Sequence, residues 1–248
     1  MLFIKNSIFC ILKKLFQFFM RDVLKIAIIG DFNFTYNSHH ATNLALDHSS
    51  RFLDVEINYY WIKLNEAIEF KESDFTSFDG IWFSPGPFKN NFYLNGIIDK
   101  VTGMAIPTFV TGESFKSLIE VLISQNNCNQ ENEKLISDNL IEGNQFEKIY
   151  IVPHSKALVT IYDNHNTLEL TASRFSMYPQ LIRQLISTVI DIEAYNQFEE
   201  PEIISLKSHP FFLACGFIPQ ISSTREIPHP LIYTFIKACQ HKEELSKK

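Results

Sequence analysis

The chain places imidazole, carboxylate and hydroxyl groups in the segments that follow two of its apolar runs. His39 and His40 lie in the loop after the apolar run 25–31, and Glu113 and Ser114 follow the apolar segment 106–111. A histidine can act as the general base for a serine hydroxyl, and a carboxylate at a helix N-terminus is stabilised by the helix dipole. These residue types indicate a pocket with acid–base chemistry at the ends of two strands.

Each of these residues also has an ordinary structural interpretation. Ser114 fits a helix N-cap or a first-turn hydroxyl, and Glu113 is either an acid or a plug in the space of a substrate carbonyl. The two histidines form a small acid–base or metal cluster with Asp31 and Tyr36, or they are solvated loop residues. The sequence leaves both interpretations open.

Strands and helices alternate from residue 24 onward, and this alternation predicts the sheet that positions these side chains. The apolar run 25–31 has the character of a buried parallel strand. Strands at 55–62, 80–83 and 106–111 follow, with helical segments between them and after Gly112. Such alternation predicts a parallel α/β sheet, in which ligands collect at the loops after the strands, here 30–32, 84–87 and 111–114.

The second half of the chain is expected to add short strands and two helices to this sheet. The polar segment 125–145 between the halves is predicted to be a surface excursion. Predicted strands lie at 149–152, 157–162, 168–170, 190–195, 202–206 and 211–217, and predicted helices at 181–189 and 231–239.

The composition fits one domain with a large core and argues against a nucleic-acid partner. The 248 residues are 46% hydrophobic, which is enough to bury a single core. The net charge of −6, from 22 basic and 28 acidic residues, disfavours binding to a phosphate backbone because that affinity is mostly cation-driven. We therefore expect no nucleic-acid binding.

The cysteines indicate a reducing compartment. Cys10, Cys128, Cys215 and Cys239 are scattered without a CxxC pair or other metal spacing, so we expect neither a disulfide framework nor a metal site. Cys215 and Cys239 sit in apolar runs and are predicted to be small buried hydrophobes. The expected compartment is the cytoplasm, and no cofactor is expected.

Residues 1–23 form an apolar and basic extension, and residues 24–248 form the predicted domain. Lys13 and Lys14 interrupt the apolar run of residues 1–20, so it is too short to span a bilayer and lacks a signal-peptide cleavage site. This segment is either a basic amphipathic helix on an anionic membrane surface or a non-native extension upstream of a start at Met20.

Several segments of the domain resemble one enzyme family. They are residues 24–30, residues 79–86 (Asp-Gly-Ile-Trp-Phe-Ser-Pro-Gly), residues 106–111, and residues 208–220 closed by His229-Pro230-Leu231. Together they resemble the class I glutamine amidotransferase domain of CTP synthase, over roughly residues 24–240. This resemblance implies a flavodoxin-like α/β fold with a mostly parallel central sheet flanked by helices.

A further resemblance is to bacterial stand-alone proteins related to the C-terminal region of CTP synthase, including selenoprotein forms. The matching features are His40 in the first loop, Gly86 followed by Phe88 and Asn90, and the His-Pro-Phe-Phe segment 209–212. The family's Pro-Gly-Gly loop helps to form its oxyanion hole, and Gly86 stands in the corresponding loop here.

The family's catalytic positions are altered in this chain. The nucleophilic cysteine corresponds to Gly112, and the histidine and glutamate of the family's Phe-His-Pro-Glu turn correspond to Ile218 and Gln220. The resemblance therefore implies a scaffold without glutamine hydrolysis by the ancestral mechanism, because loss of the nucleophile or the base removes orders of magnitude in rate. Arg174 resembles the arginine of the family's His-Arg-Tyr segment and either clamps a carboxylate or pairs on the surface.

Three functions follow as expectations. The first is a small-molecule binding or regulatory pseudoenzyme with an amide or carboxylate ligand in a pocket formed by His40, Gly86, Glu113, Ser114 and Arg174. The second is an enzyme of altered chemistry that uses His40, Glu113 and Ser114. The third is an accessory subunit of a synthetase-type protein partner in pyrimidine nucleotide (CTP) metabolism; no P-loop occurs in the chain, so we expect it to lack the synthetase domain.

Overall fold

The computed structural model describes residues 23–128, 133–137, 140–141 and 145–242. The predicted N-terminal extension, with its membrane alternative, and Cys10 lie outside these ranges, apart from Val23, which begins the first strand. No helix within the described ranges combines the length and the apolar character needed to cross a bilayer.

Nine strands in the described part of the chain form a single mixed sheet in the order β2-β1-β3-β4-β9-β8-β7-β5-β6. β2, β1, β3, β4 and β9 are parallel, and β8, β7, β5 and β6 continue the sheet in antiparallel pairing. The strands are β1 Val23–Ile29, β2 Glu56–Ile62, β3 Gly80–Phe83, β4 Thr108–Thr111, β5 Glu147–Pro153, β6 Leu168–Thr171, β7 Ile190–Asn196, β8 Pro201–Leu206 and β9 Phe212–Cys215.

Helices cover both faces of the sheet, so the α/β fold class predicted from the sequence is confirmed. They are α1 Asn37–Leu53, α2 Leu64–Ala67, α3 Glu72–Thr76, α4 Asn91–Thr102, α5 Glu113–Gln125, α6 Lys156–Tyr162, α7 Pro179–Thr188 and α8 Pro230–Gln240, with a short 3-10 turn at Pro219–Ile221. One core contains side chains of α4, α5 and α7, and the other contains side chains of α1, α6 and α8.

The two cores exist because successive strand residues point to opposite faces. In β1, Ala27 and Ile29 join one core, whereas Ile26 and Ile28 join the other. Central strands are therefore buried on both faces, as all four residues of β3 and of β4 are. Cys215 and Cys239 are buried as predicted, with 0% and 2% of their surfaces exposed.

One predicted element was wrong, because residues 157–162 form helix α6 and not a strand. The hydroxyl of Ser155 accepts the backbone N–H of Leu158 at 3.1 Å and caps the helix. Leu158 and Tyr162, four residues apart, then lie on one buried face. The cap and this spacing outweigh the β-branched residues between them.

Much of the polar excursion 125–145 lies outside the described residues. Within its described part, Ile136 and Ile141 form isolated antiparallel bridges with Met177 and Arg174. The second bridge places Ile141 beside the segment that follows β6.

Candidate functional site

A cavity of about 480 Å³ lies where the loops after β1, β3 and β4 meet. This is the carboxyl edge of the parallel strands, where the sequence predicted the site. The lining residues are Thr35, Tyr36, Asn37, Ser38, Pro85, Gly86, Pro87, Glu113, Ile141, Phe146, Ala172, Ser173 and Ile218.

Gly112 occupies the sharp turn between β4 and α5. Its φ of 60° and ψ of −128° belong to a conformation that glycine adopts readily and other residues rarely do. A strand that turns sharply into a helix is the usual setting for a catalytic nucleophile. A side chain here would place its Cβ 2.8 Å from the Pro85 Cβ and 2.9 Å from the Pro85 carbonyl oxygen, so the space for a nucleophile is filled.

Two backbone positions that could donate to an oxyanion are not free to do so. The N–H of the residue after a nucleophile commonly binds the oxyanion, but the Glu113 N–H donates to the Pro85 carbonyl at 3.0 Å. Pro87, in the loop that follows β3, has no backbone N–H to offer. The turn therefore has the shape of a nucleophile elbow, with the Glu113 donor already engaged.

Ile218 and Gln220 carry no group that could transfer a proton to this turn. Ile218 lines the cavity with an aliphatic side chain, and its N–H donates to the Leu170 carbonyl at 2.8 Å. Gln220 is 2% exposed, and its Nε2 donates to the Thr42 hydroxyl at 3.0 Å. Gln220 thus ties the 3-10 turn to helix α1.

Of the five predicted pocket residues, Gly86 and Glu113 line the cavity. Gly86 has a φ of 85°, and a Cβ at this position would collide with the Glu113 carboxylate. The glycine therefore lets the loop after β3 and the first turn of α5 pack against each other. Glu113 brings a carboxylate to the cavity wall at the N-terminus of α5.

Ser114, His40 and Arg174 do not line this cavity. The Ser114 hydroxyl is fully buried and donates to the Ser84 carbonyl at 2.6 Å. The exposed His40 ring donates from Nε2 to the Phe34 carbonyl at 2.8 Å. The Arg174 guanidinium pairs with the Glu147 carboxylate at 3.3 Å and lies over the Phe198 ring. Of the two roles considered for Arg174, this geometry corresponds to an ion pair within the protein.

His39 supports the cavity in the place predicted for His40. Its Nδ1 accepts the Asn33 N–H at 3.0 Å, and its Nε2 therefore donates to the Gly86 carbonyl at 3.0 Å. Burial lowers the pKa of His39, and the bond to Gly86 only partly offsets this effect. Adjacent residues of a helix point about 100° apart, so His39 and His40 face different directions. The sequence did not give the exact start of α1, and it therefore could not tell which of the two histidines faces the cavity.

A buried polar network that the sequence did not reveal lies beside β6. The Glu169 carboxylate accepts hydrogen bonds from His229 Nε2 at 2.8 Å and from the Ser222 hydroxyl at 2.6 Å. Ligand atoms of His165, Glu169 and His229 lie within 4.8 Å of one another. However, His229 Nδ1 accepts the Leu231 N–H, so its Nε2 carries a proton towards Glu169 and not a free lone pair.

The same network perturbs two neighbouring groups. Burial, followed by the adjacent His229, lowers the pKa of His165 to about 4. Burial and Glu169 raise the pKa of Tyr162 well above its ordinary value. Because hydrogen bonds satisfy both oxygens of Glu169, the network serves as an anchor between β6 and α8.

Cys215 ends β9 and contacts the turn after β4 through its backbone. Its carbonyl accepts the Gly112 N–H at 3.0 Å, but its Sγ is buried and donates to the Phe217 carbonyl at 3.7 Å. Burial and the carboxylates of Glu202 and Glu169 raise its pKa well above the ordinary value. A protonated, buried thiol is a poor nucleophile.

The sheet order, the helices on both faces and the elbow after β4 together define the class I glutamine amidotransferase fold. The glutaminase domain of Trypanosoma brucei CTPS, solved with bound acivicin, has this fold at a TM-score of 0.67. It is 19% identical, with 88% of this chain and 94% of that chain covered.

In amino-acid sequence, part of this chain is similar to CTP synthase. CTP synthase of Buchnera aphidicola is 32% identical over 85 residues, which cover 34% of this chain and 16% of that protein. CTP synthase of Nostoc punctiforme is 54% identical over 37 residues, or 15% of this chain and 7% of that protein. The matches thus span less than a fifth of these relatives, and no protein-family model matches the chain.

Proposed function

We propose that this protein is a glutamine amidotransferase-like pseudoenzyme that binds a small carboxylate or amide in its cavity without hydrolysing it. Its ancestry lies with the glutaminase domain of CTP synthase, and its role is binding or regulation. The binding site is the cavity between the loops after β1, β3 and β4.

The proposal depends on the turn at Gly112, which we call the closed elbow because Pro85 occupies the space for a side chain there. Amide hydrolysis on this scaffold needs a nucleophile at position 112 and free donors for the oxyanion. Gly112 offers no side chain, Pro85 occupies the space that one would fill, and the Glu113 N–H is bonded to the Pro85 carbonyl. The same contact between Pro85 and α5 therefore opposes both requirements.

The residues at the former base and acid positions point in the same direction. Ile218 gives the cavity an apolar wall where a histidine would stand, and Gln220 is engaged with Thr42. Without a base, the hydroxyl of a serine or the thiol of a cysteine stays protonated and is a weak nucleophile.

The alternative of altered chemistry with His40, Glu113 and Ser114 receives less support. Among these three residues only Glu113 lines the cavity, and the hydroxyl of Ser114 is buried against Ser84. An enzyme of this kind would lose activity on His40→Ala or Glu113→Gln while folding normally.

A thermal-shift screen of small carboxylates and amides tests the binding role. At least one compound should raise the Tm of the wild-type protein, because a ligand that binds only the folded state stabilises it. Ala172→Trp, which fills the cavity from its half-buried wall, should abolish this shift, whereas Ala105→Trp at an exposed position should keep it. The proposal fails if no compound shifts Tm or if Ala172→Trp responds like wild type.

Two further parts of the proposal concern the cell. A synthetase-type partner in CTP metabolism would co-purify with the protein as a larger chain. The cytoplasm is the proposed compartment, and the buried free thiols of Cys215 and Cys239 are compatible with its reducing conditions.

A further inference from the structure

We propose that the ligand of the cavity is a monocarboxylic acid with an apolar body, with its carboxylate at the N-terminus of α1. The inference rests on the proposed function, because it takes the cavity as a ligand site. It goes further by naming which end of the ligand is recognised and by what.

Helix α1 presents unpaired donors to the cavity. Its N-cap residue, Tyr36, provides no side-chain hydrogen bond, and its first turn contains no acidic residue. Among the described residues, the N–H groups of Asn37 and Ser38 have no acceptor. Free N–H groups and the positive end of the helix dipole together favour an anion.

Two hydroxyl groups add a second and independent observation. Ser38 is 7% exposed and lines the cavity, and its hydroxyl has no hydrogen-bond partner in the described part of the chain. Ser173 lines the cavity as well, and its buried Oγ also lacks a partner there. The Ser173 Oγ is enclosed, whereas Ser38 keeps a small exposed surface at the cavity wall. Because polar groups in such largely buried residues are nearly always satisfied, the hydroxyl of Ser38 indicates a polar ligand group beside the N-terminus of α1.

The charge of the lining argues against a ligand with more than one negative charge. None of the described lining residues is basic, and Glu113 contributes a carboxylate. A phosphate with two charges normally recruits arginine or lysine, whereas one carboxylate can be held by helix N–H groups and hydroxyls. The site therefore suits a carboxylate better than a phosphate.

The rest of the cavity suits an apolar body. Ile141, Phe146 and Ile218 line it, and Phe146 is 44% exposed. A cavity of about 480 Å³ falls in the range of pockets that hold small organic ligands. An aliphatic or aromatic ligand body buries this surface, whereas the side-chain amide of glutamine would meet Ile218 without a hydrogen bond.

The test uses 4-phenylbutyrate, its neutral amide 4-phenylbutyramide, and L-glutamine as probes, with calorimetry and thermal shift on the full chain. We expect saturable binding of 4-phenylbutyrate at least ~10-fold tighter than that of the amide or glutamine, because only the carboxylate gains from the helix end.

Matched variants locate the carboxylate. Asn37 and Asn91 are both exposed first residues of a helix, α1 and α4, and Asn91 does not line the cavity. Asn37→Asp should weaken 4-phenylbutyrate binding ~3- to 10-fold without lowering Tm, since the aspartate occupies the anion position and stabilises the helix. Asn91→Asp should leave binding unchanged, and Ser38→Ala should weaken it ~3- to 10-fold.

The outcomes separate this inference from the proposed function. If the amide or glutamine binds as tightly as 4-phenylbutyrate, or if Asn37→Asp has no more effect than Asn91→Asp, the inference is wrong while a binding role survives. If none of the three probes binds, the inference is also wrong. If glutamine is converted to glutamate, the proposed function itself fails.

Discussion

Gly112 turns the chain from β4 into α5, and its Cα faces Pro85 at close range. The family resemblance placed the missing nucleophile at this residue, and the positive φ is the backbone conformation that such a turn requires. The sequence could show that the cysteine is absent. It could not show that Pro85 lies where a side chain at position 112 would be, since that contact joins two loops far apart in the chain.

Gly112→Cys should destabilise the protein by about 1–3 kcal/mol and should not create glutaminase activity. The new side chain would force a strained backbone and a Cβ contact with Pro85. Urea unfolding measures the cost. Gly103→Cys is the control, because its Cβ would be 3.7 Å from the nearest atom and its φ is −85°. Equal effects of the two substitutions would contradict the closed elbow.

Glu202 is a second residue whose behaviour only the structure reveals. It is 5% exposed and accepts a hydrogen bond from Asn196 at 3.0 Å. Burial raises its pKa to about 7 from an ordinary 4.5, and the Asn196 bond only partly offsets this effect. Between pH 4.5 and 7 the unfolded chain therefore loses this proton while the folded chain keeps it.

Because the folded state holds this proton more tightly, the stabilising contribution of Glu202 is complete below pH 4.5 and is lost as pH rises through 7. The loss should amount to about 3 kcal/mol. Glu202→Gln should remove this part of the pH dependence, while exposed Glu69→Gln should leave it intact. Urea unfolding at pH values from 4 to 8 gives the comparison, and parallel curves for wild type and Glu202→Gln would refute the raised pKa.

At the scale of elements, helix α6 shows where local sequence was misleading. Its residues include Val159, Thr160 and Ile161, which favour strands, yet the cap at Ser155 and the buried pair Leu158 and Tyr162 decide for a helix. Because the segment is short, its tertiary contacts outweigh its intrinsic preference for a strand.

Ser155→Ala should cost about 1 kcal/mol of stability because the Leu158 N–H would lose its acceptor at the start of α6. Ser187→Ala in α7 is the matched control, since Ser187 is exposed and its hydroxyl bonds only to the Gln184 carbonyl. The control should change stability by less than about 0.5 kcal/mol. Chemical denaturation of both variants tests this, and no difference between them would argue against the cap.

The parallel strands β1, β3 and β4 were predictable because they are largely apolar runs followed by helical periodicity. β1, β3 and β4 are buried on both faces, and such strands leave a clear signal. Strands β5 to β8 were located as well, but their antiparallel order was not, since strand order depends on contacts between distant segments. The Glu169 and His229 network escaped prediction for the same reason, because 60 residues separate the two side chains.

At the scale of the whole molecule, the fold has a cavity at the carboxyl edge of its sheet. The cavity lies at the junction of three loops, each after a parallel strand, as in other open α/β proteins. The described lining residues offer helix N–H groups, hydroxyls and an apolar wall, and none of them forms a nucleophile–base pair of the kind a hydrolase uses. The proposed function follows from this lining: recognition of a ligand without its cleavage.

The most direct test of this account is the release of glutamate and ammonia from L-glutamine by the purified full-length chain, compared with a heat-denatured sample. We predict no release above the denatured sample at any pH from 6 to 9, for wild type and for Ser114→Ala alike. Glutamate formation by wild type that is abolished in Ser114→Ala, or in Cys215→Ser with its fold intact, would contradict the account.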